Sequence, residues 1–394
     1  MPELALSSFL FLLLLLFFLF FDPLSATHLP FSRDRRLGRS IHGHVSLLEE
    51  NMVSEGSAEL CNIFNGRWVF DESYPLYSSQ SCPYISSRVN CKYNGRPDSD
   101  YQKWRWQPDT CNVPRFDGEK LLEGLRGKRL MIVGDSLDRS MWESLVCMLL
   151  SYSPDITKSI QLNYPFNVFR ALEYNASVEF FWAPFLVDLD MELVLGQPKR
   201  VLKPYEIEGN AQAWRGVDIL IFNSAHYWTH LGGLKSWDYI EYENGLYEDL
   251  DRMFIYQKGM ETWASWIDSN LDPQKTRVFF RSISPIHTDP SQWDEPNGNR
   301  CVNETEPITQ DAFLSPIPPQ MTIIETVLKQ MKFPVYFFNI TRLSDYRKDA
   351  HPSVYTSGDG EMRYGSASPA DCSHWCVSGV PDIWNELLAF LLLY

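Results

Sequence analysis

Positive charge is scarce in this sequence of 394 residues, which has 35 Lys and Arg against 50 Asp and Glu and a formal net charge of −15. This balance disfavours nucleic acid and anionic membrane surfaces as main partners, because both attract basic proteins. A neutral substrate suits such an acidic protein better than a polyanion does. Aromatic residues are plentiful, at 14% of the chain with 13 Trp, and their flat faces suit sugar rings as well as protein cores.

No lysine or arginine precedes the apolar run at residues 4–21, which is just long enough to span a bilayer as a helix. The run predicts entry into the secretory pathway, and residues 1–26 form either a signal-anchor or a cleaved signal peptide. The basic residues follow the run, an order opposite to that of a type II anchor. They are Arg33, Arg35, Arg36 and Arg39. Both alternatives place the rest of the chain in the lumen.

The cysteines are even in number, and no second cluster of cysteine and histidine completes a zinc site with Cys372, His374, Cys376 and Asp371. An even count in an oxidising lumen favours disulfides over zinc. The eight cysteines are Cys61, Cys82, Cys91, Cys111, Cys147, Cys301, Cys372 and Cys376. Three sequons make Asn175, Asn303 and Asn339 candidates for N-glycosylation.

Three kinds of sequence texture follow the apolar segment. Residues 27–60 are polar and without periodicity, which predicts a flexible stem. Residues 61–116 are rich in cysteine, aromatic and turn residues and need bridges and a neighbouring surface to hold them. Residues 117–394 alternate short apolar runs with helical patterns, as expected for one catalytic domain.

The apolar runs of residues 117–394 predict five strands that are buried on both faces, as in a parallel sheet. They are RLMIVG (129–134), VEFFWA (178–183), VDILIFN (217–223), TRVFFRSI (276–283) and PVYFFNI (334–340). Helices are predicted at about 138–151, 251–269, 319–332 and 380–393. The predicted fold is a three-layer α/β/α sandwich with a five-stranded parallel sheet, with the disulfide-rich segment packed on it.

Polar residues follow several of these strands, at the edge where open α/β sheets bind ligands. Ser136 lies just past the first strand, Asn223 and His226 at the end of the third, and His287 past the fourth. Capping alone explains a serine in Gly134-Asp135-Ser136, because serine is a favoured N-cap residue. We predict that Ser136 both caps the helix and acts as a nucleophile.

A serine nucleophile needs a base and a group that orients that base. In DCSHWC (371–376), Asp371 stands three residues before His374, a spacing that lets the carboxylate reach Nδ1–H and leaves Nε2 free. The alternative is a surface histidine beside a structural disulfide.

An oxyanion has three possible donors in this sequence. The backbone N–H of Ser136 or Leu137 lies at a helix N-terminus. Arg139 offers a cation, or is a salt-bridged helix residue, and Asn223 offers an amide, or is a turn residue. His226 is assigned to the substrate groove.

Several longer stretches add to these motifs. They are CNIFNGRWVFDESYPLYSSQSCPYI, KWRWQPDTCNVPRF, FFWAPFLV, FFRSISPIH, NITRLSDYRKDAHPSVY and VPDIWNELL. Together with Gly134-Asp135-Ser136, Arg139 and Asp371-x-x-His374, they resemble the plant trichome-birefringence-like family of cell-wall polysaccharide O-acetyltransferases. The resemblance extends from Cys61 to Tyr394. The sequence departs from the usual family pattern at Ser140, at NGNRC (297–301) and at Val377-Ser378. These departures affect the expected substrate preference but leave the triad unchanged.

The resemblance implies a catalytic domain similar to GDSL/SGNH hydrolases, with Ser136 as nucleophile, His374 as base, Asp371 as its orienting group and Arg139 near the oxyanion. It implies no resident cofactor, acetyl-CoA as the acetyl donor, and a Golgi membrane protein of type II with a luminal catalytic domain. Secretion to the cell wall after signal cleavage is the alternative. It also implies the disulfides Cys61–Cys111, Cys82–Cys147, Cys91–Cys376 and Cys301–Cys372.

Three functions are compatible with these features. The first is an acetyltransferase that acylates Ser136 and passes the acetyl group to a polysaccharide, with xylan favoured as the less acidic acceptor. The second is a xylan or pectin acetylesterase that uses water as acceptor at the same centre. The third is a glycan-binding wall protein without catalysis.

Overall fold

The structure is a computed structural model that describes residues 61–356 and 370–394. The predicted membrane or signal segment, 1–26, and the predicted stem, 27–60, lie outside the described residues. Among the helices that are described, none is both long and apolar enough to cross a bilayer. The sequon residues Asn175 and Asn303 are exposed, and Asn339 is half-buried.

The described residues contain thirteen strands. They are β1 Gly66–Phe70, β2 Trp104–Pro108, β3 Arg129–Gly134, β4 Lys158–Asn163, β5 Phe166–Ala171, β6 Ala176–Trp182, β7 Asp188–Val194, β8 Gln197–Lys203, β9 Ile219–Phe222, β10 Tyr239–Tyr242, β11 Gly245–Tyr247, β12 Arg277–Arg281 and β13 Val335–Phe338. The α-helices are α1 Gly118–Gly124, α2 Ser136–Tyr152, α3 Glu208–Ala211, α4 His226–Thr229, α5 Arg252–Asn270, α6 Pro319–Gln330, α7 Thr341–Asp345 and α8 Val380–Leu393. The four predicted helices are α2, α5, α6 and α8.

The central sheet has seven strands in the order β13-β12-β9-β3-β6-β5-β4. The five predicted strands are its β13, β12, β9, β3 and β6, and they are mutually parallel. The prediction of five strands is therefore incomplete, because β5 and β4 extend the sheet in antiparallel pairing. Strand β4, KSIQLN, is an exposed edge strand without a continuous apolar run, so its sequence carries little strand signal.

The two faces of the sheet build two cores, because successive side chains of a strand point to opposite faces. Leu130 and Ile132 of β3 pack with α2 and α8 on one face. Met131 and Val133 of the same strand pack with α5 and α6 on the other. The three-layer arrangement follows, and it places the carboxyl ends of the parallel strands beside the start of α2.

The cysteine-rich segment is bridged to the α/β domain. Its strands β1 and β2 pair antiparallel. The structure contains the four disulfides that the resemblance implies: Cys61–Cys111, Cys82–Cys147, Cys91–Cys376 and Cys301–Cys372. The second and third join this segment to α2 and to the loop before α8, respectively. A second sheet, in the order β11-β10-β8-β7, completes the described strands.

Helix α8 brings two carboxyl groups into the core. Asp382 accepts hydrogen bonds from Tyr77 Oη at 2.9 Å and Ser144 Oγ at 2.5 Å. Glu386 accepts one from Tyr74 Oη at 2.9 Å. Burial raises the pKa of Asp382 to about 6 and that of Glu386 to about 8.

These buried acids predict a fold that loses stability in mild alkali. The native pKa of Glu386 lies above its unfolded value, so its contribution is complete below the unfolded pKa and is lost as the pH rises through about 8. We expect the melting temperature to fall between pH 6.5 and 8.5, and the Glu386→Gln variant to flatten this decline. Thermal unfolding at several pH values measures it, with the exposed Glu248→Gln as the matched control. A Glu386→Gln curve parallel to that of the parent protein would show that Glu386 does not titrate in this range.

Candidate active site

The turn between β3 and α2 presents Ser136 as the first residue of the helix. Asp135 is the N-cap: its carboxylate accepts the Leu137 N–H at 2.9 Å, and the Asp138 carboxylate accepts the Asp135 N–H at 3.0 Å. The prediction that Ser136 caps the helix is therefore wrong. Because Asp135 satisfies the first turn, the Ser136 hydroxyl is left for another partner.

Gly134 is required by the close approach of a carboxylate to its backbone. A Cβ atom at this position would lie 2.1 Å from Asp138 Oδ2, far inside van der Waals contact. Any other residue would push Asp138 away from the Asp135 N–H and disturb the turn that carries Ser136.

Ser136, His374 and Asp371 form a continuous hydrogen-bonded chain. Ser136 Oγ lies 2.7 Å from His374 Nε2, and His374 Nδ1 lies 2.9 Å from Asp371 Oδ2 and 3.1 Å from Asp371 Oδ1. His374 and Asp371 are buried, whereas Ser136 is half-buried. The structure thus brings together the three predicted residues across 238 positions of sequence, with the geometry of a nucleophile, a base and its orienting acid.

Arg88 is a fourth residue in this series of hydrogen bonds, and none of the short sequence motifs indicated it. It belongs to the cysteine-rich segment, and its Nε donates to Asp371 Oδ2 at 2.9 Å. Burial would raise the pKa of Asp371, but the hydrogen bond and charge of His374 and the charge of Arg88 hold that pKa well below its usual range. Asp371 is therefore ionised at neutral pH and able to stabilise a protonated His374.

The predicted oxyanion donors differ in what they bind. The Leu137 N–H donates to the Asp135 carboxylate. Of the two backbone N–H groups predicted as oxyanion donors, only that of Ser136 therefore remains a candidate. Arg139 Nε lies 3.6 Å from Glu143 Oε1 and, within the described residues, has no hydrogen-bond partner. Arg139 thus forms the helix ion pair considered from the sequence, and its oxyanion role stays a prediction.

Asn223 and His226 both follow β9, but their side chains differ in their hydrogen bonds. The Asn223 amide donates to the carbonyls of Arg281 and Ser282 at 2.9 and 3.2 Å. It therefore ties β9 to the end of β12, and the prediction of an oxyanion donor at this position is not met. His226 begins α4, and its Nε2 is buried without a hydrogen-bond partner among the described residues. Burial lowers the pKa of His226 to about 4, so the ring is neutral at neutral pH.

Comparison with known proteins agrees with this geometry. Residues 113–391 match the family model "PC-Esterase: GDSL/SGNH-like Acyl-Esterase family found in Pmr5 and Cas1p", and residues 59–112 match "PMR5 N terminal Domain". Protein trichome birefringence-like 36 of Arabidopsis thaliana is 46% identical over 86% of this chain and 87% of its own. Protein trichome birefringence-like 38 from the same plant is 42% identical over 96% of both chains. This chain belongs to the PC-esterase family of trichome birefringence-like proteins.

The PC-esterase family is described as GDSL/SGNH-like acyl-esterases. The mixed α/β fold of this chain agrees with that description. Cys372 and Cys376 belong to two different disulfides, so neither thiolate is available to zinc. The zinc alternative is thereby excluded for these two cysteines, and the two bridges instead hold the loop on both sides of His374.

The turn of this PC-esterase rests on a buried ion pair that the sequence motifs do not indicate. Arg281, at the end of β12, donates to Asp138 Oδ1 through Nη2 at 2.8 Å and Nε at 3.1 Å. Both side chains are fully buried. Burial raises the pKa of Asp138 to about 7, against the charge of Arg281, which lowers it. In the sequence, only the arginine at the end of the strand RVFFR indicated a partner for Asp138.

Aromatic side chains line the sheet edge next to Ser136. Trp182 is the register partner of Gly134 across β3 and β6. Its ring lies 5.8 Å from that of Tyr227, which lies 4.8 Å from that of His230. Trp182, Tyr227 and His230 are all half-buried, so each exposes part of its surface at this edge.

Proposed function

We propose that this protein is a polysaccharide O-acetyltransferase that works through an acetyl-Ser136 intermediate, with xylan as the favoured acceptor. The observation that carries the proposal is the continuous chain from Ser136 Oγ to His374 Nε2, at 2.7 Å, and from His374 Nδ1 to Asp371, at 2.9 Å. A serine hydroxyl so placed loses its proton to the imidazole as it attacks.

The first half of the reaction forms the intermediate. Ser136 Oγ attacks the acetyl carbonyl carbon of the donor, for which acetyl-CoA is proposed, while His374 Nε2 takes the hydroxyl proton. The tetrahedral intermediate then collapses, the bond from carbon to the leaving sulfur breaks, and His374 returns its proton to the thiolate. Asp371 stays ionised throughout and stabilises the imidazolium.

The second half transfers the acetyl group to the glycan. A sugar hydroxyl attacks the acetyl-Ser136 carbonyl, His374 takes the hydroxyl proton, and collapse releases the acetylated sugar and returns the proton to Ser136 Oγ. In both halves the negative oxygen is proposed to lie near the Ser136 N–H and the Arg139 guanidinium, where the start of α2 adds a favourable dipole.

The aromatic edge supports a glycan as the acceptor. Flat rings bind the apolar faces of pyranose rings, and Trp182 and Tyr227 lie beside the strand that leads to Ser136. A neutral xylan backbone also suits a chain of net charge −15 better than pectic acid does.

The Trp182→Ala variant is predicted to separate the two halves of the reaction. We expect acetylation of Ser136 by a small activated ester to stay within about twofold of the parent rate, and transfer to xylan oligomers to fall by about tenfold, because about 1–2 kcal/mol of ring contact is lost. Rapid-mixing kinetics with and without acceptor measures both steps. The matched control is Trp68→Ala, an aromatic removal in the cysteine-rich segment. Equal losses in both steps of Trp182→Ala would place Trp182 in the fold rather than in acceptor binding.

Hydrolysis by the same centre is the second candidate function. Ser136 is half-buried rather than sealed, so water can reach the intermediate, and the matched family is described as acyl-esterases. An acetylesterase would use water in place of the sugar hydroxyl in the second half of the reaction.

The test incubates the purified full-length protein with an acetyl donor and unacetylated xylan or homogalacturonan oligomers, and reads acetyl gain by mass spectrometry. We expect gain on xylan oligomers that the Ser136→Ala variant abolishes. Release of acetate from pre-acetylated oligomers, without any gain on unacetylated ones, would identify an esterase. Binding of oligomers with neither reaction would identify the non-enzymatic glycan-binding protein.

We also propose that the protein works in the secretory lumen, held in the Golgi membrane by its N-terminal segment or, alternatively, released to the cell wall. Four disulfides and two exposed sequons support an oxidising, glycosylating compartment. Fluorescence localisation of the tagged chain, with N-terminal sequencing of the mature protein, distinguishes the two destinations.

A further inference from the structure

Two buried imidazole rings stand in line behind the loop that carries His374. His351 Nδ1 lies 2.6 Å from the backbone carbonyl oxygen of His374. His351 Nε2 lies 2.7 Å from His287 Nδ1, and His287 Nε2 lies 3.0 Å from the carbonyl oxygen of Asp345. Both side chains are buried. The row therefore runs without a break from one carbonyl oxygen to another.

The number of protons in this row follows from its ends. Each carbonyl oxygen can only accept a hydrogen bond, so the ring nitrogen that faces it must carry a proton. The contact between the two rings needs one proton as well. Three contacts thus need three protons, whereas two neutral imidazoles carry only two. A row with every contact satisfied therefore holds one imidazolium and one positive charge.

The surroundings place that charge on His287. Asp345 Oδ1 lies 3.5 Å from His287 Nε2 and has no hydrogen-bond partner within the described residues. The other oxygen of this carboxylate accepts the Ser315 N–H at 2.6 Å and faces Arg342 at 3.7 Å. Trp293 closes the far side, with its ring 5.7 Å from that of His287. The buried carboxylate is the counter-ion that an imidazolium at His287 needs.

His351 is the neutral ring of the pair. It stacks on Trp375 at 4.1 Å, and the charged groups that face it are Arg96, which donates to its carbonyl oxygen at 2.9 Å, and Asp371. Burial and the positive charge of His287 lower the pKa of His351 well below its usual value. Its one proton therefore stays on Nδ1, where it binds the His374 carbonyl.

We propose that the His287–His351 pair carries a single positive charge and that both are positioning residues, which act on catalysis through the backbone of His374. This inference rests on the proposed function for its catalytic consequence, although the charge itself does not. The same segments hold the loop elsewhere: the His287 N–H donates to the Cys372 carbonyl at 3.0 Å, and the Cys376 N–H donates to that of Ala350 at 2.9 Å. The base is thus fixed from behind as well as by Asp371.

The charge is tested directly by nuclear magnetic resonance of the full-length protein labelled with ¹⁵N-histidine. At pH 7 we expect one ring with protons on both nitrogens and one with a proton on Nδ1 only. The His287→Gln variant should remove the doubly protonated ring. Two singly protonated rings at positions 287 and 351 would overturn the proposal. This result does not depend on catalysis, so it remains informative even if Ser136 is never acetylated.

The positioning role is tested on the rate of Ser136 acetylation by a small activated ester. An asparagine at position 351 can still donate an N–H toward the His374 carbonyl, whereas leucine cannot. We expect His351→Leu to lower the maximal acetylation rate by about tenfold with little change in the ester concentration at half-maximal rate, and His351→Asn to recover most of it. A folded His351→Leu protein with the parent rate would refute the role.

Discussion

Replacing Asp371 with asparagine is expected to lower the rate of Ser136 acetylation by about 10³- to 10⁴-fold, the scale on which loss of an orienting carboxylate acts in such triads. Asparagine lacks the charge that stabilises the His374 imidazolium, and its amide can hold the ring in the wrong tautomer. It also leaves Arg88 without the carboxylate that it now binds at 2.9 Å. The effect should fall on the acetylation rate rather than on the fold.

The matched control is Arg88→Met, which removes the arginine that binds Asp371 and leaves Ser136, His374 and Asp371 in place. Its side chain is 58% exposed, so water replaces much of the lost interaction, and we expect a loss of about tenfold or less. Stopped-flow release of the leaving group from a small acetyl ester measures both variants, with melting temperature as a check of folding. An Asp371→Asn protein that is folded and as active as Arg88→Met would mean that Asp371 does not orient the base.

Replacing Arg281 with methionine is expected to lower the free energy of unfolding by about 3–5 kcal/mol, because the buried Asp138 loses its counter-ion and must either stay charged without a partner or take up a proton. Asp138 in turn holds the Asp135 N–H, so the turn that carries Ser136 should loosen before the rest of the domain. Activity should therefore be lost at temperatures where the protein is still folded.

The control for Arg281 is another arginine bound to a carboxylate, but at the surface. Arg215 and Glu208 lie 3.0 Å apart with side chains 49% and 63% exposed, and Arg215→Met should cost less than about 1 kcal/mol. Chemical denaturation followed by fluorescence measures both variants. Similar losses for the two would show that the buried pair contributes no more than a surface pair.

Much of the fold was predictable because four of the five parallel strands are buried on both faces, and all five leave near-continuous apolar runs. Strand β4 escaped prediction because most of its side chains are exposed. Asp371 and His374 were predictable because their contact spans only three residues, and Ser136 because it directly follows a strand. The assignment of the cap to Ser136 failed because Asp135, one residue earlier, has the same capping chemistry.

The missing parts of the site are contacts between residues far apart in sequence. Arg88 reaches Asp371 across 283 positions, and Arg281 reaches Asp138 across 143. No local pattern encodes such pairs, because each depends on how the cysteine-rich segment and the strands assemble. His287 was predicted at the binding edge, but the structure buries it behind the loop of His374, where it contacts His351.

The most direct test of the account is to expose the full-length protein briefly to an acetyl donor without acceptor, quench in acid, and map acetylated peptides by mass spectrometry. The account predicts one acetyl group on Ser136, absent in Ser136→Ala and His374→Ala, and discharged when xylan oligomers are added before the quench. An unmodified Ser136 in a preparation that acetylates xylan, or glycan acetylation that survives in Ser136→Ala, would contradict it.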